Sequence, residues 1–151
     1  MNKLKKLKKN VDNKILTIKY IGSRGEGISS LTTEINCKKS DYTFFIPFAL
    51  PYERVVVKPI LSTSDGIRAD LLEIKISSPK RIDPKCSHFF KCGGCLLQHW
   101  NFEDYSCWKF EKISLPILKI SPTTNIKPIK TSSTRSRTVS YTHLTLPTSY
   151  A

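Results

Sequence analysis

From residue 14 to residue 77 the apolar positions fall in short runs broken by turn formers, and no run carries a helical period. KILTIKYI (14–21) predicts a first strand, ISSLTTEI (28–35) a second and YTFFIP (42–47) a third that ends in proline. ERVVVKPI (53–60), with three consecutive valines, predicts a fourth strand, and IRADLLEIKI (67–76) a fifth. Gly22, Gly25 and Gly27 mark one turn, and Ser64-Asp65-Gly66 marks another. Five short strands in this span predict a mainly β domain, a small five-stranded barrel of the OB type, closed so as to leave no exposed edge. Such barrels often take single-stranded nucleic acid on one face. The glycines of GSRGEG could instead cradle a phosphate, but a phosphate loop runs into a helix. Ser29, Ser30, Thr32 and Thr33 follow here, so a β-turn is the better reading.

Pro79 and Pro84 bracket a linker, SSPKRIDPK, that leads into a cysteine-rich segment. Beyond it, Asn101 can cap a helix whose first turn holds Glu103 and Asp104, with Phe102, Tyr105 and Trp108 on one face. Pro116 is expected to end that helix. The residues from there to 138 are rich in Pro, Ser, Thr and Lys and commit to no element.

Charge adds a partner to this picture. The chain carries 25 Lys and Arg against 12 Asp and Glu, a net charge of +13, which points to a polyanion. Residues 1–10 hold five lysines and no acid and read as a disordered basic arm, neither a signal peptide nor an anchor. A polyanion here means either nucleic acid or an anionic membrane surface, and no stretch approaches the ~20 apolar residues that cross a bilayer. A monomer in the cytoplasm is expected. Candidate phosphate contacts are Arg24, Lys58, Arg68 and Lys75, with Tyr20 and Phe44 as stacking surfaces.

The strongest chemical signal is Cys86-x5-Cys92-x2-Cys95, within CSHFFKCGGCLLQH. Thiolates this close select zinc or an iron–sulfur cluster, and a chain with no export signal favours metal over disulfides. Gly93-Gly94 lets the backbone turn tightly enough for Cys92 and Cys95 to share one metal. His88 or His99 could complete a zinc site, shield a cluster or donate a hydrogen bond to it, and either could equally be an ordinary packed histidine. Cys107, on the expected helix, and Cys37, in the β-region, read as ordinary thiols.

GSRGEGI, the Phe48 to Pro51 segment FALP, the cysteine segment and YSCWK in this order resemble the start of the RNA uracil-C5 methyltransferases. These enzymes depend on S-adenosylmethionine and methylate uridine in ribosomal or transfer RNA. The resemblance spans roughly residues 11–138 and is most specific at the cysteines. It implies that residues 11–78 form a TRAM domain, an OB-like RNA-binding module, and that residues 79–100 form the linker and [4Fe–4S] motif. Residues 101–138 would begin a central domain. Cys86, Cys92 and Cys95 would be three of four cluster ligands, the fourth lying downstream. The family's cysteine nucleophile attacks uracil C6 so that C5 can take the methyl group. Nucleophile, base and S-adenosylmethionine pocket all lie further C-terminal in the family. The resemblance therefore assigns no catalytic or S-adenosylmethionine-binding residue to this chain, and Cys107 does not match the nucleophile's position. A fragment of this extent is expected to be inactive alone.

Residues 139–148, VSYTHLTLPT, look like a translated transposase-type sequencing adapter, so residues 139–151 are expected to be an artefact at the end of a fragment. A competing reading is a non-enzymatic, zinc-binding RNA or translation accessory module. A radical enzyme is disfavoured because its usual C-x3-C-x2-C spacing is absent.

Overall fold

The computed structural model describes residues 5–6, 12–35, 38–91 and 94–128, with the backbone alone for 5–6, 33–35 and 38–40. Cys37, Cys92, the adapter-like tail and all of the basic arm except two lysines lie outside the described residues.

The domain is mainly β. Its strands are β1 (Lys5–Lys6), β2 (Lys14–Thr17), β3 (Tyr20–Ile21), β4 (Gly27–Ile35), β5 (Lys38–Ile46), β6 (Arg54–Thr63) and β7 (Gly66–Ile76), followed by one helix, α1 (Phe102–Ile120). They form one sheet in the order β1-β6-β7-β5-β4-β3, and β2 also pairs with β6. All neighbours are antiparallel except β5 and β7, which run parallel through Phe44↔Ile67 and Phe45↔Arg68.

The expected small, mainly β domain is formed, with its sheet left open and the first expected strand broken in two. Its first half, β2, pairs with β6 and its second half, β3, pairs with β4. Between them Ile18 leaves both ladders. Its N–H donates to the Glu53 carbonyl (2.9 Å), and its own carbonyl accepts from Tyr52 N–H (2.9 Å). The broken strand thus bridges the two ends of the curled sheet without sealing it.

Alternation along the strands sets the core. Val55, Val57 and Pro59 of β6 face inward, while Arg54, Lys58 and Ile60 face out. They meet Leu16, Ile18, Phe44, Ile46, Ala49 and Ala69, all buried. Each fully buried Val, Leu or Ile contributes about 1.5–3 kcal/mol. Strand β6 runs past Pro59 to Thr63, and the ladder slips register between Pro59 and Leu61, where the missing N–H removes a bond.

A second apolar cluster joins the sheet to the helix. Ile21 and Leu50 pack on Leu97 and Trp100, with Tyr105 and Trp108 of α1 against them. Asn101 caps α1, its side-chain oxygen accepting from Asp104 N–H at 3.1 Å. The helix does not stop at Pro116 but continues to Ile120. Lys112, whose carbonyl loses its partner there, is exposed, so water can take up the bond. Phe102, expected to share a face with Tyr105 and Trp108, is exposed, while those two pack against the cluster.

Among the described residues one ion pair is buried. Glu53 is fully buried and accepts from Leu50 N–H (2.8 Å), Ser78 N–H (3.2 Å) and both Nε (2.6 Å) and Nη2 (2.8 Å) of Arg81. Arg81 Nη2 also donates to the Phe48 carbonyl (2.8 Å). Burial pushes the Glu53 pKa up, but the Arg81, Leu50 and Ser78 bonds and the Arg81 charge outweigh it and hold the carboxyl below its ordinary value.

Both the buried pair and the start of β7 can be tested by substitution. Because the folded-state pKa of Glu53 is depressed, its contribution is complete above about pH 4.5 and is lost as pH falls through the folded-state value. Glu53→Gln should cost about 3 kcal/mol, the lower end for removing one member of a buried pair, and should flatten the acid limb of the stability profile. Urea midpoints between pH 3 and 7, followed by circular dichroism, check both. At Gly66, φ is +144° and an added Cβ would run into the Thr43 carbonyl where β7 starts beside β5. Gly66→Ala should therefore lower the urea midpoint, by about 1–3 kcal/mol in stability.

Candidate metal and nucleic-acid sites

The cysteine segment is a loop, residues 83–98, whose base is clasped. Arg81 and Trp100 form an antiparallel bridge flanked by Ile82 N–H to the His99 carbonyl (2.9 Å) and Asn101 N–H to the Lys80 carbonyl (2.9 Å). Since Arg81 is the residue clamped by Glu53, the clasp is fastened to the sheet. Within the loop, turns close from Phe89 N–H to the Cys86 carbonyl and from Lys91 N–H to the His88 carbonyl (both 3.0 Å). The glycine-rich turn supports the far side. Gly25, at φ +83°, leaves a space in which an added Cβ would touch Leu96 and Leu97 at 3.4–3.5 Å.

Cys86 and Cys95 are free and exposed. Cys92 lies outside the described residues, and among those described no group of three or more metal-binding side chains is gathered. By the chemistry of the donors, thiolates spaced along one clasped loop fit zinc or an iron–sulfur centre. Cys107 is likewise free and exposed, but on α1, facing a groove between helix and sheet.

The two histidines near the cysteines differ sharply. His88 is exposed. His99 is 0% exposed, and neither of its ring nitrogens has a hydrogen-bond partner among the described residues. Its ring lies 5.2 Å from that of Phe89 and 6.4 Å from that of Phe48. Burial, then the Arg81 charge, press its pKa down to about 4, with Glu53 opposing, so the imidazole is neutral at pH 7.

Phe48 and Tyr52 both have left-handed backbones, φ +63° and +68°. Bulky residues rarely adopt this conformation. Contacts hold Phe48 there: its carbonyl takes the Arg81 bond, and its ring meets Phe89 and Phe90 edge-on at 5.3 and 5.2 Å. Tyr52 has no such packing and is 78% exposed.

The expected RNA contacts separate into groups. Arg24 and Arg68 line one hollow of about 370 Å³, with Phe45, Pro47, Ile60 and Leu96. Lys58 is exposed on β6 opposite Asp70. Lys75 is paired with Glu73 of its own strand at 2.7 Å. Tyr20 is 56% exposed, as stacking requires. Phe44 is not a stacking surface: on β5 it shares the inward face with Ile46 and is buried in the core.

A larger groove of about 750 Å³ between sheet and helix brings together residues that sequence reasoning missed. Tyr52, Lys19, Lys80 and Lys112 line it beside Tyr20 and Trp108. Lys80 bonds Asp104 at 3.0 Å, and the Lys112 ammonium stands 5.9 Å from the Trp108 ring. The signal for Tyr52 is its place after Pro51, in a turn where a side chain escapes the sheet. Nothing local marks the three lysines.

No family model matches the chain. Individual proteins do. The chain is 37% identical, over 113 residues, to an uncharacterized RNA methyltransferase of Caulobacter vibrioides, covering 75% of this chain and 24% of that protein. It is 35% identical over 99 residues to the 23S rRNA (uracil(1939)-C(5))-methyltransferase RlmD of Vibrio campbellii, covering 66% and 21%. The RlmD of Shewanella sediminis is 39% identical over 79 residues, 52% of this chain and 18% of that one. The chain thus spans a quarter or less of the length of these relatives. Over the span that aligns, the chain is similar to RNA methyltransferases, among them 23S rRNA uracil-C5 enzymes.

Proposed function

We propose that this chain is the N-terminal, RNA-gripping part of an RNA uracil-C5 methyltransferase, with its β-domain acting as a TRAM module and its cysteine loop holding a [4Fe–4S] cluster. The observation that carries the reading is the likeness to RNA methyltransferases along three quarters of the chain. S-adenosylmethionine, bound elsewhere in the whole enzyme, would supply the methyl group. The residues of this chain would hold the substrate. Arg24 and Arg68 offer two guanidinium groups to phosphate from one hollow, while Tyr20 and Tyr52 offer exposed rings to unstacked bases. The substrate class that fits is a single-stranded or looped segment of ribosomal RNA, since A-form duplex hides its bases.

Cys86, Cys92 and Cys95 would ligate the cluster, and the clasp would hold their loop against the sheet. Methyl transfer consumes no electron, so the cluster's role here is structural, as a crosslink within the loop. No helix among the described residues is long and apolar enough to cross a membrane. The +13 charge supports a polyanionic partner.

Binding to a fluorescent single-stranded RNA should weaken steeply between 50 and 200 mM salt, by about 0.7 logarithmic units per logarithmic unit of salt for each phosphate contact. Arg24→Ala with Arg68→Ala should reduce that slope by about 1.4. Tyr52→Ala should leave the slope unchanged and cost about 1–3 kcal/mol of binding. Anisotropy titrations measure all three, and an affinity flat in salt would remove the electrostatic role.

Anaerobic reconstitution with iron and sulfide should give a brown protein with iron and acid-labile sulfide in equal amounts. Cys92→Ser should lose most of both. A colourless protein that takes up stoichiometric zinc instead would favour the accessory-module reading.

A further inference from the structure

The hollow that holds Arg24 and Arg68 contains more than a phosphate needs. Its floor is the outer face of the sheet, with Phe45 of β5, Ile60 of β6, and Arg68 and Asp70 of β7. Arg24 and Gly25 of the glycine turn and Leu96 of the cysteine loop wall it. Phe45 faces away from its buried neighbour Phe44 and is half-buried, so part of its ring stays open, and Ile60 and Leu96 are exposed. Arg68 and Asp70 flank buried Ala69 on one strand and are both exposed on its outer face. Among the described residues neither they nor Arg24 enters an ion pair. Glu26, the other acid of the hollow, already has one carboxylate oxygen enclosed. Asp70 is therefore the carboxylate open to a ligand. A volume of about 370 Å³ lies near the lower end of small-ligand pockets, which run roughly 300–1,000 Å³, and suits one nucleotide.

Apolar side chains beside two guanidinium groups and a carboxylate fit a nucleobase with its phosphates, and the carboxylate selects among bases. An ionised carboxylate only accepts hydrogen bonds. Guanine alone of the four RNA bases presents two adjacent donors on its pairing edge, N1–H and the N2 amino group, and these match two carboxylate oxygens. Adenine and cytosine set a ring-nitrogen acceptor beside their amino group, and uracil sets its N3–H between two carbonyls, so each brings an acceptor against the second oxygen. We propose that this hollow holds one guanine of a single-stranded RNA. Asp70 accepts from N1–H and the N2 amino group, Phe45 and Ile60 cover the face of the base, and Arg24 and Arg68 donate to the adjoining phosphates. The inference rests on the RNA-binding reading above and gives it a base preference.

The test uses the full chain and the anisotropy of labelled RNA octamers at one fixed salt concentration. The octamers are all uridine, or uridine with one central guanosine, inosine, adenosine or cytidine. The guanosine octamer should bind about tenfold tighter than the all-uridine one. Inosine, which lacks the N2 amino group, should keep only part of that gain, and adenosine and cytidine little of it. Asp70→Asn should lose most of the guanosine preference. Asp65→Asn, which removes an acid of the β6–β7 turn outside the hollow, should keep it in full. The inosine comparison needs no variant, so it decides even if Asp70→Asn fails to fold. Equal affinity for the guanosine and adenosine octamers in wild type, or a guanosine preference untouched in Asp70→Asn, overturns the guanine pocket and leaves the RNA-binding reading standing. Displacement of the guanosine octamer by an equal concentration of guanosine 5′-monophosphate also overturns it, in favour of a free nucleotide. A wild-type chain that binds none of the octamers overturns both readings.

Discussion

One buried carboxylate organises this molecule. Glu53 sits where the sheet, the 47–53 turn and the cysteine segment meet, and its two oxygens satisfy groups from all three. Leu50 N–H fixes the turn, Ser78 N–H fixes the chain just past β7, and Arg81 fixes the start of the clasp. A charge this deep is tolerated only when matched and fully hydrogen-bonded. The match has a geometric consequence: the direction in which the chain leaves the curled sheet is set by a bidentate pair, so the cysteine loop and α1 come next in a defined place. A sheet this small buries a modest fraction of its unfolded surface, and the second apolar cluster under Trp100 and Trp108 adds to it only because Arg81 delivers those residues there.

Much of this is legible in the sequence. The expected strands lie within one to four residues of the observed ones, because β-branched runs and glycine turns mark sheet structure locally. Asn101 announces the helix start for the same local reason. What the pattern misses is non-local. The break of the first strand at Ile18 depends on Glu53 and Tyr52 backbone groups far along the chain. Phe44 lands on the wrong side in a sequence reading because a strand's register is not visible when two aromatics stand side by side, and only one can face the core. Pro116 suggests a stop, yet a proline on an exposed helix face forfeits a bond whose carbonyl stays open to solvent.

The candidate site divides the same way. Clustered cysteines advertise metal chemistry through spacing alone. The distinction between His88 and His99 does not show in the local pattern, since each follows polar and apolar neighbours alike and either could be the buried one. Similarly, Arg24 and Arg68 are distant in sequence and meet in one hollow only because the glycine turn folds onto the outer face of β7. Lys75 already answers to Glu73, which lessens its pull on a phosphate.

The clasp at Arg81 and Trp100 has a thermodynamic corollary. Drawing together the ends of a flexible segment of about 16 residues costs about 2.5 kcal/mol of chain entropy. Backbone hydrogen bonds and the Arg81 anchor meet that cost during folding of the β-domain. Under the proposed metal-binding reading, an ion arriving later would find the thiols at high effective concentration and would have only the loop's interior to arrange. Loss of that ion would loosen the interior while the ends stay joined, so the segment could be refilled without the surrounding domain refolding.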